Sequence, residues 1–188
     1  MPLISLVAMP GGGKSTVGRQ LARQLGVPFM DADQEIERRI GKPIRQFFEA
    51  QGEDAFRDLE EKLIDELTRV PEGVLATGGG AVLRSNNRTA LHERTISLYL
   101  RASPEDLIRR LRHDTQRPLL QVADPARKLR EMFATRDPLY RQTAHFVIET
   151  GRPSVHSLVQ MILMQLELAG IVDPSRVPSS VTPPAPAS

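Results

Sequence analysis

Short apolar runs alternate with longer amphipathic segments along most of this 188-residue chain. The first run, residues 3–7, is followed by a segment in which Val17, Leu21 and Leu25 recur at helical spacing. The runs predicted as strands are 3–8, 28–31, 73–77, 95–101 and 145–149. The segments predicted as helices are 14–25, 33–40, 43–51, 53–70, 86–93, 103–112, 125–135 and 153–169. This alternation predicts an α/β fold, in which helices cover both faces of a parallel sheet.

The junction between the first strand and the first helix, residues 8–16, reads Ala-Met-Pro-Gly-Gly-Gly-Lys-Ser-Thr. A strand, a glycine-rich turn and a helix in this order are typical of a phosphate-binding loop, whose backbone N–H groups bind anions. Lys14 would reach the β- and γ-phosphates of a nucleotide, and the Ser15 hydroxyl group would bind Mg²⁺. The pattern has a glycine where this chain has Ala8, which would cost on the order of 1 kcal/mol if the position required a positive φ. The alternative is an ordinary glycine-rich turn with a chance lysine.

Two carboxylates, Asp31 and Asp33, lie at the end of the second predicted strand. Ligands of open α/β sheets bind beyond the carboxyl ends of the strands, so we expect both side chains near the phosphate loop. One could help to hold hydrated Mg²⁺, and the other could accept the proton of a hydroxyl group or orient that group. Alternatively, Asp33 only caps a helix that begins at Gln34.

Two further segments carry candidate binding residues. Arg57 lies off the apolar face of the helix predicted over 53–70, with Glu60 one turn further on. The two residues could form a solvated salt bridge. Alternatively, the glutamate holds the arginine in an orientation that binds an anionic substrate. The glycines of residues 77–81 follow the third strand, where a ligand could approach the backbone closely, unless they form only a loose loop.

The later part of the chain is rich in arginine. Residues 113–124 show little regular pattern. This segment is preceded by Arg109, Arg110 and Arg112 and contains Arg117. A basic segment near a phosphate site predicts a mobile lid that excludes water, and an exposed arginine-rich helix end is the alternative. Arg136, taken alone, is typical of a cation at the C-terminus of a helix. Residues 150–153 either cover a base ring or only begin the last helix.

Composition excludes several classes of protein. The chain has no cysteine, which rules out disulfides, cysteine-ligated zinc and thiol nucleophiles. Its net charge of +2 argues against nucleic-acid binding driven by bulk charge. It has neither an apolar stretch of membrane-spanning length nor a secretory leader, so we expect no membrane partner and a cytoplasmic location. The proline-rich residues 171–188 predict a disordered tail after a domain of residues 1–170, or alternatively a partner-binding segment.

An ordered set of motifs resembles that of the shikimate kinases over about residues 3–168. The motifs, in chain order, are GGGKST, DAD, FFEAQGEDAFRDLE, GGGAV, RPLL and RDPLYR. The resemblance implies a three-layer αβα P-loop fold with a five-stranded parallel sheet and a mobile lid at about 112–124. It also implies Mg²⁺-dependent transfer of the γ-phosphoryl group of ATP to the 3-hydroxyl group of shikimate, a step in aromatic amino-acid biosynthesis.

The resemblance assigns two groups of residues to the nucleotide and the metal ion. The residues implied to bind ATP are Gly11, Gly12, Gly13, Lys14, Ser15, Thr16, Arg110, Arg117, Arg152 and Pro153. Within that set, Arg117 would reach the transferring phosphoryl group, whereas Arg110 and residues 152–153 would flank the adenine ring. Ser15 and Asp31 would be the Mg²⁺ residues, with Asp31 acting through water.

On the acceptor side, the resemblance implies that Asp33 binds the shikimate hydroxyl groups and acts as the base. Arg57 and Arg136 would grip the shikimate carboxylate, and the backbone of Gly79 would contact a hydroxyl group. The implied catalytic residues are Lys14, Asp33 and Arg117.

Two other functions remain open, and we expect a monomer in each case. One is a P-loop kinase for a different small acceptor, such as gluconate or a nucleoside monophosphate. The other is a non-catalytic, ATP-binding interaction protein, although the presence of the implied acid, base and arginine residues argues against it. Ala8 and the tail are the departures from the family pattern, and neither affects the residues assigned to shikimate.

Overall fold

The computed structural model describes residues 1–112, 123–151, 154–173 and 175, which form five strands and seven helices. The strands are Leu3–Val7 (β1), Phe29–Asp31 (β2), Gly73–Ala76 (β3), Ile96–Arg101 (β4) and Phe146–Glu149 (β5). The helices are Lys14–Leu25 (α1), Ala32–Ile40 (α2), Ile44–Leu67 (α3), Ser85–Arg94 (α4), Pro104–Leu111 (α5), Pro125–Thr143 (α6) and Val155–Leu168 (α7). A single 3₁₀ turn, Ala81–Leu83, lies between β3 and α4.

The five strands form one parallel sheet in the order β2-β3-β1-β4-β5. The central strand β1 pairs Leu6 with Ala76 of β3 and Val7 with Tyr99 of β4. In the outermost strand β2, Asp31 is paired with Ala76 of β3. Because all strands are parallel, their carboxyl ends meet at one edge of the sheet, where the loops after β1, β2 and β3 lie side by side.

Two apolar cores lie on opposite faces of the sheet. Alternate side chains of β1, such as Ile4 and Leu6, pack with α1 and α7, whereas Val7 faces α2 to α6. This alternation follows from the period of two along a strand, which sends successive side chains to opposite faces. The predicted three-layer α/β fold with a five-stranded parallel sheet is therefore confirmed.

Helix α3 is interrupted at Gly52, which has φ 84° and ψ 176°. Only glycine adopts this conformation without strain, so the backbone turns here and resumes as a helix at Glu53. The sequence predicted this interruption as two helices on either side of residue 52. The second part ends at Leu67 rather than at the predicted residue 70, with Thr68 as its C-terminal cap.

Helix α6 continues to Thr143, eight residues past its predicted end at 135. Pro138 lacks an N–H group and usually ends or kinks a helix, which is why the prediction was too short. Here the final turns bury Tyr140 and Thr143 against the rest of the protein, and this packing outweighs the local cost. Arg136 consequently lies inside a helix, and its interpretation as a C-terminal helix cation is wrong.

The packed core extends beyond the predicted C-terminal end of the domain. Val172 is only 2% exposed and packs with the core on the α1 and α7 side, so the packed chain continues past residue 170. The remainder of the predicted tail, apart from Asp173 and Ser175, lies outside the described residues, as do residues 113–122 of the predicted lid. Among the described helices, none combines the length and the apolar character needed to cross a membrane.

Candidate active site

The loop between β1 and α1 adopts its shape through two left-handed glycines, Gly11 with φ 83° and Gly13 with φ 80°. Gly12 is needed for a different reason, since a Cβ atom there would lie 2.8 Å from the Cβ atom of Ala8. In the described part of the chain, every residue with a positive φ is a glycine. Ala8 is therefore unstrained, and the expected cost of replacing a glycine at this position does not arise.

Lys14 begins helix α1 directly after this loop. Its Nζ atom donates hydrogen bonds to the carbonyl oxygens of Ala8, at 2.8 Å, and Met9, at 3.3 Å. The ammonium group thus lies over the loop at a helix N-terminus, where backbone N–H groups and the helix dipole favour an anion. The local structure matches the phosphate-binding arrangement that the sequence predicts.

Asp31 links the end of β2 to the phosphate loop. Its Oδ2 atom accepts a hydrogen bond from the Ser15 hydroxyl group at 2.6 Å. Its Oδ1 atom accepts from the backbone N–H groups of Asp33, at 3.0 Å, and Gln34, at 3.2 Å, so Asp31 is the N-cap of α2. The alternative in which Asp33 caps a helix starting at Gln34 is wrong, because the helix begins at Ala32 and Asp31 has the extended conformation of a cap.

Asp33 and Glu60 approach the same glycine. A Cβ atom at Gly78 would lie 2.7 Å from Asp33 Oδ1 and 2.9 Å from Glu60 Oε2. Burial raises the pKa of the Asp33 carboxyl group above its usual range, opposed first by Lys14. Burial likewise raises the pKa of Glu60, and Arg57 opposes that shift. A carboxylate with a raised pKa beside a lysine is suited to accepting a proton from a hydroxyl group near neutral pH.

Arg57 is held at the site by Glu60, as one of the two sequence interpretations predicts. Its Nη1 atom lies 2.9 Å from Glu60 Oε1, and the two side chains are only 12% and 1% exposed. A weaker contact of 3.4 Å joins Arg57 to the exposed Glu53. The guanidinium group also rests against Gly80, where a Cβ atom would overlap it. The pair is therefore a buried ion pair rather than a solvated one.

Arg136 reaches the same region from α6. It lies close enough to oppose the rise in the pKa of Glu60, and it acts in the same direction on Tyr140. Tyr140 donates a hydrogen bond from its hydroxyl group to the Gly79 carbonyl oxygen at 2.5 Å. The structure thus brings Arg57, Arg136 and Gly79 together around Glu60 and Tyr140.

Arg110 of α5 lies at the opposite side of the phosphate loop. Its Nη2 atom donates to the Thr150 carbonyl oxygen at 3.0 Å, and its Nη1 atom lies 3.5 Å from the Gly11 carbonyl oxygen. This position, between the phosphate loop and the end of β5, is compatible with the predicted adenine side. Arg109 instead pairs with Asp106 at the surface. Arg117, Arg152 and Pro153 lie outside the described residues.

The sequence analysis missed two contributors to this arrangement, Tyr140 and Pro10. Pro10 packs against Gly79, where a Cβ atom would lie 2.8 Å from its ring. Tyr140 lies four residues after Arg136, so the two share one helix face, but this spacing signals a site only once the helix is known to continue through Pro138. We refer to Thr77–Gly80 as the glycine loop below.

A metal ion at this site would have few protein ligands. No group of three or more His, Asp or Glu side chains able to hold a metal ion occurs within the described ranges. The Ser15 hydroxyl group and the Asp31 carboxylate supply adjacent hard oxygen donors. This donor set suits Mg²⁺, which prefers oxygen, keeps several waters and relies on substrate phosphates for the remainder of its ligands.

Comparisons with known proteins agree on one family. A family model described as shikimate kinase matches residues 10–167. The chain is 61% identical over 175 residues to a shikimate kinase of Paracidovorax citrulli, which covers 92% of this chain and 96% of that protein. It is 58% identical over 169 residues to a shikimate kinase of Burkholderia thailandensis, covering 90% and 92% of the two chains. Among solved structures, shikimate kinase from Acinetobacter baumannii in complex with shikimate superposes with a TM-score of 0.86 at 46% identity, covering 92% and 96%.

Removing one member of the buried ion pair should destabilise the fold strongly. Glu60→Ala leaves the Arg57 guanidinium group 12% exposed and without its 2.9 Å partner, so the free energy of unfolding should fall by about 3 kcal/mol. Urea denaturation at neutral pH measures this change. The matched control is Glu53→Ala, which removes the exposed 3.4 Å contact to the same arginine and should change stability by less than about 0.5 kcal/mol. Equal effects of the two substitutions would contradict the assignment.

Proposed function

The chain belongs to the shikimate kinase family, and from that premise we propose how its own residues share the reaction. The protein is an ATP-dependent kinase that transfers the γ-phosphoryl group to the 3-hydroxyl group of shikimate, giving ADP and 3-phosphoshikimate in aromatic amino-acid biosynthesis. The observation that carries the division of roles is the convergence of Arg57 and Arg136 with Asp33 beside the phosphate loop.

On the acceptor side, Arg57 and Arg136 bind the shikimate carboxylate. Guanidinium groups match the planar geometry of a carboxylate and form strong, charge-assisted hydrogen bonds with it. The ion pair with Glu60 fixes the orientation of Arg57 before substrate arrives, which lowers the ordering cost of binding. The backbone of Gly79 contacts a substrate hydroxyl group.

On the nucleotide side, the loop of Gly11, Gly12 and Gly13 holds the ATP phosphates, and Thr16 lies in the first turn of α1 beyond it. The Gly11 and Gly13 N–H groups face the phosphates, whereas the Gly12 N–H group donates to the Met9 carbonyl oxygen at 3.0 Å and shapes the loop. Lys14 exchanges its hydrogen bonds to the loop carbonyls for contacts with the β- and γ-phosphates. Arg110 flanks the adenine from its position between Gly11 and Thr150. Arg117, Arg152 and Pro153 keep the roles that the family pattern gives them: the first at the transferring group, the others beside the base.

The oxygen donors of Ser15 and Asp31 would hold Mg²⁺, with Asp31 acting through water. When bound with the phosphates, the ion supplies neutralisation of their charge. The protein positions these two oxygen donors without help from the ion. Asp31 Oδ1 is fixed by two backbone N–H groups of α2, so Oδ2 and the Ser15 hydroxyl group are held in place before any ion binds.

Asp33 accepts the proton of the shikimate 3-hydroxyl group. The oxygen of that hydroxyl group attacks the γ-phosphorus, while the bond between the γ-phosphorus and the ADP oxygen breaks. Lys14 offsets the negative charge that collects on the phosphate oxygens. Since burial raises the pKa of Asp33, its carboxylate becomes protonated at a higher pH than an ordinary aspartate does. Activity requires the carboxylate form of Asp33, because a protonated carboxyl group cannot accept the substrate proton.

The remaining proposals concern the protein as a whole. We propose one kinase domain over about residues 1–170 with a lid at about 112–124, a monomeric state and a cytoplasmic location, with no nucleic-acid or membrane partner. The tail, which the sequence predicts over residues 171–188, is proposed to start after Val172, because that side chain is buried in the core.

The acceptor specificity tests the function directly. A coupled assay of ADP release with Mg·ATP should show turnover with shikimate, and much less with quinate, gluconate or AMP. Turnover only with another acceptor would retain the ATP site and reject the two-arginine carboxylate site. ATP binding without any turnover would favour the non-catalytic interaction protein.

Arg57→Ala should separate the two substrates. Losing one charged, bidentate contact should weaken shikimate binding by about 2 kcal/mol, whereas ATP binding should be unchanged. Calorimetric titration of each substrate, at a temperature where the variant is folded, measures both affinities. Arg45→Ala is the control, because Arg45 lies on the same helix, is 55% exposed and forms a surface ion pair with Glu49. Parallel loss of both affinities in Arg57→Ala would place Arg57 elsewhere.

Asp31 should reveal separable roles in folding and in Mg²⁺ binding. Asp31→Asn retains a good N-cap for α2 but removes the charge, whereas Asp31→Ala removes both. We expect each variant to need roughly tenfold more Mg²⁺ for half-maximal activity, as loss of an indirect metal partner usually causes. Only Asp31→Ala should also lose about 1 kcal/mol of unfolding free energy. An unchanged Mg²⁺ requirement in Asp31→Asn would exclude Asp31 from the metal site.

A further inference from the structure

Tyr140 is a buried residue whose hydroxyl group reaches the candidate active site. Its side chain is 0% exposed, and the ring lies 4.9 Å from the ring of Tyr99 within the core. The hydroxyl group donates to the Gly79 carbonyl oxygen at 2.5 Å, joining α6 to the glycine loop across 61 residues of sequence. Such a short hydrogen bond from a buried hydroxyl group fixes the separation of the two elements closely.

Each glycine of that loop lies against a different part of the site. Gly78 faces Asp33 and Glu60, Gly79 faces the ring of Pro10, and a Cβ atom at each of these glycines would lie within 3 Å of its neighbour. Gly80 rests on the guanidinium group of Arg57. A displacement of the loop by a few tenths of an ångström would therefore reach the base, the arginine and the phosphate loop together.

The protonation state of Tyr140 suits this role. Burial raises its pKa to about 12, with Arg136 opposing the rise, so the phenol keeps its proton at neutral pH. It can then only donate to the Gly79 carbonyl oxygen, which has no proton to give. Arg136 precedes Tyr140 by one helical turn and lies on the same face of α6, so the helix presents both groups to the acceptor side together.

We propose that Tyr140 is a positioning residue of the acceptor site. Its hydroxyl group holds the glycine loop at a fixed distance from α6, and thereby keeps the two arginines and the phosphate loop in one relative placement. This inference rests on the proposed acceptor site. It adds a residue that acts through its contacts with the Gly79 backbone and with Arg136.

A purely structural role is the competing explanation, and Tyr99 provides the matched control. Tyr99 is 1% exposed, packs on Tyr140, and donates from its hydroxyl group to Asp137 Oδ1 at 2.7 Å. Removal of either hydroxyl group leaves both rings in the core. At position 99 it breaks the hydrogen bond to Asp137, and at position 140 it breaks the bond to Gly79 and the hydrogen bond with Arg136. Both substitutions therefore remove a hydrogen-bonded hydroxyl group from the core, but only Tyr140→Phe breaks contacts with the glycine loop and with Arg136.

The experiment compares Tyr140→Phe and Tyr99→Phe with the unaltered protein. For each, the melting temperature, the Kd for ATP, and kcat and KM for shikimate are measured at neutral pH. We expect Tyr140→Phe to lower kcat/KM for shikimate at least tenfold, mainly through KM, with the Kd for ATP within twofold of the original. Tyr99→Phe should lower the melting temperature comparably and leave kcat/KM within threefold. Equal kcat/KM values for the two variants would overturn the proposal.

A second measurement tests the proposal if the Tyr140→Phe variant fails to fold. A fluorinated tyrosine of lowered phenol pKa, incorporated at position 140, retains the ring and the donor at low pH and loses the donor as pH rises. The KM for shikimate should then rise with pH relative to the unaltered protein, while the same substitution at position 99 should not change the profile. A flat profile at position 140, over a pH range in which ultraviolet absorbance shows that the fluorinated phenol ionises, would overturn the proposal. An unaltered protein without shikimate turnover would instead contradict the proposed function.

Discussion

The ion pair between Arg57 and Glu60 is the constraint around which the acceptor side is built. Both charges are withdrawn from water, and such burial is tolerated only where geometry and further partners compensate for it. Glu60 commits Oε1 to the arginine, whereas its buried Oε2 atom has no hydrogen-bond partner among the described residues. That oxygen faces Gly78 and the neighbouring Asp33. The pair therefore orients a cation for an anionic ligand, and its arginine also opposes the rise in the pKa of the proposed base.

The glycine loop makes that arrangement possible because it lets several elements approach one stretch of backbone. A side chain at Gly78 would displace carboxylates, one at Gly79 would displace Pro10, and one at Gly80 would overlap the guanidinium group. None of the three has a positive φ, so their requirement is for space rather than for backbone freedom. Consequently the acceptor side and the phosphate loop meet through direct backbone contact, and little relative movement is available to them without breaking the Tyr140 hydrogen bond.

How far the sequence predicts the molecule depends on the range of the interactions involved. The strands, the break at Gly52 and the phosphate loop follow from local signals, namely apolar runs and glycine placement. The pairing of Arg57 with Glu60 follows from helical spacing, but its burial does not, because the glycine loop that covers it comes from another strand. Tyr140 was missed for the same reason. Its partner lies 61 residues away, and the helix that carries it passes through Pro138 against local expectation. The burial of Tyr140 and Thr143 stabilises the part of the helix that follows Pro138. Intrinsic helix propensities contain no information about this packing.

Asp31 shows how the sheet register sets the geometry of the reaction centre. One oxygen of its carboxylate accepts two backbone N–H groups of α2, and the other accepts from Ser15 at the start of α1. The residue itself is fixed by the pairing of β2 with β3, which aligns Asp31 with Ala76, just before the glycine loop. The same β3 residue is aligned with Leu6 of β1, just before the phosphate loop. A slip of one residue in either pairing would turn the Asp31 side chain to the other face of the sheet. The proposed metal-side oxygens and the glycine loop are thus positioned by the parallel hydrogen-bonding register of three neighbouring strands. The acceptor arginines, which lie on α3 and α6, are positioned relative to these strands through the glycine loop, which contacts Arg57 and Tyr140.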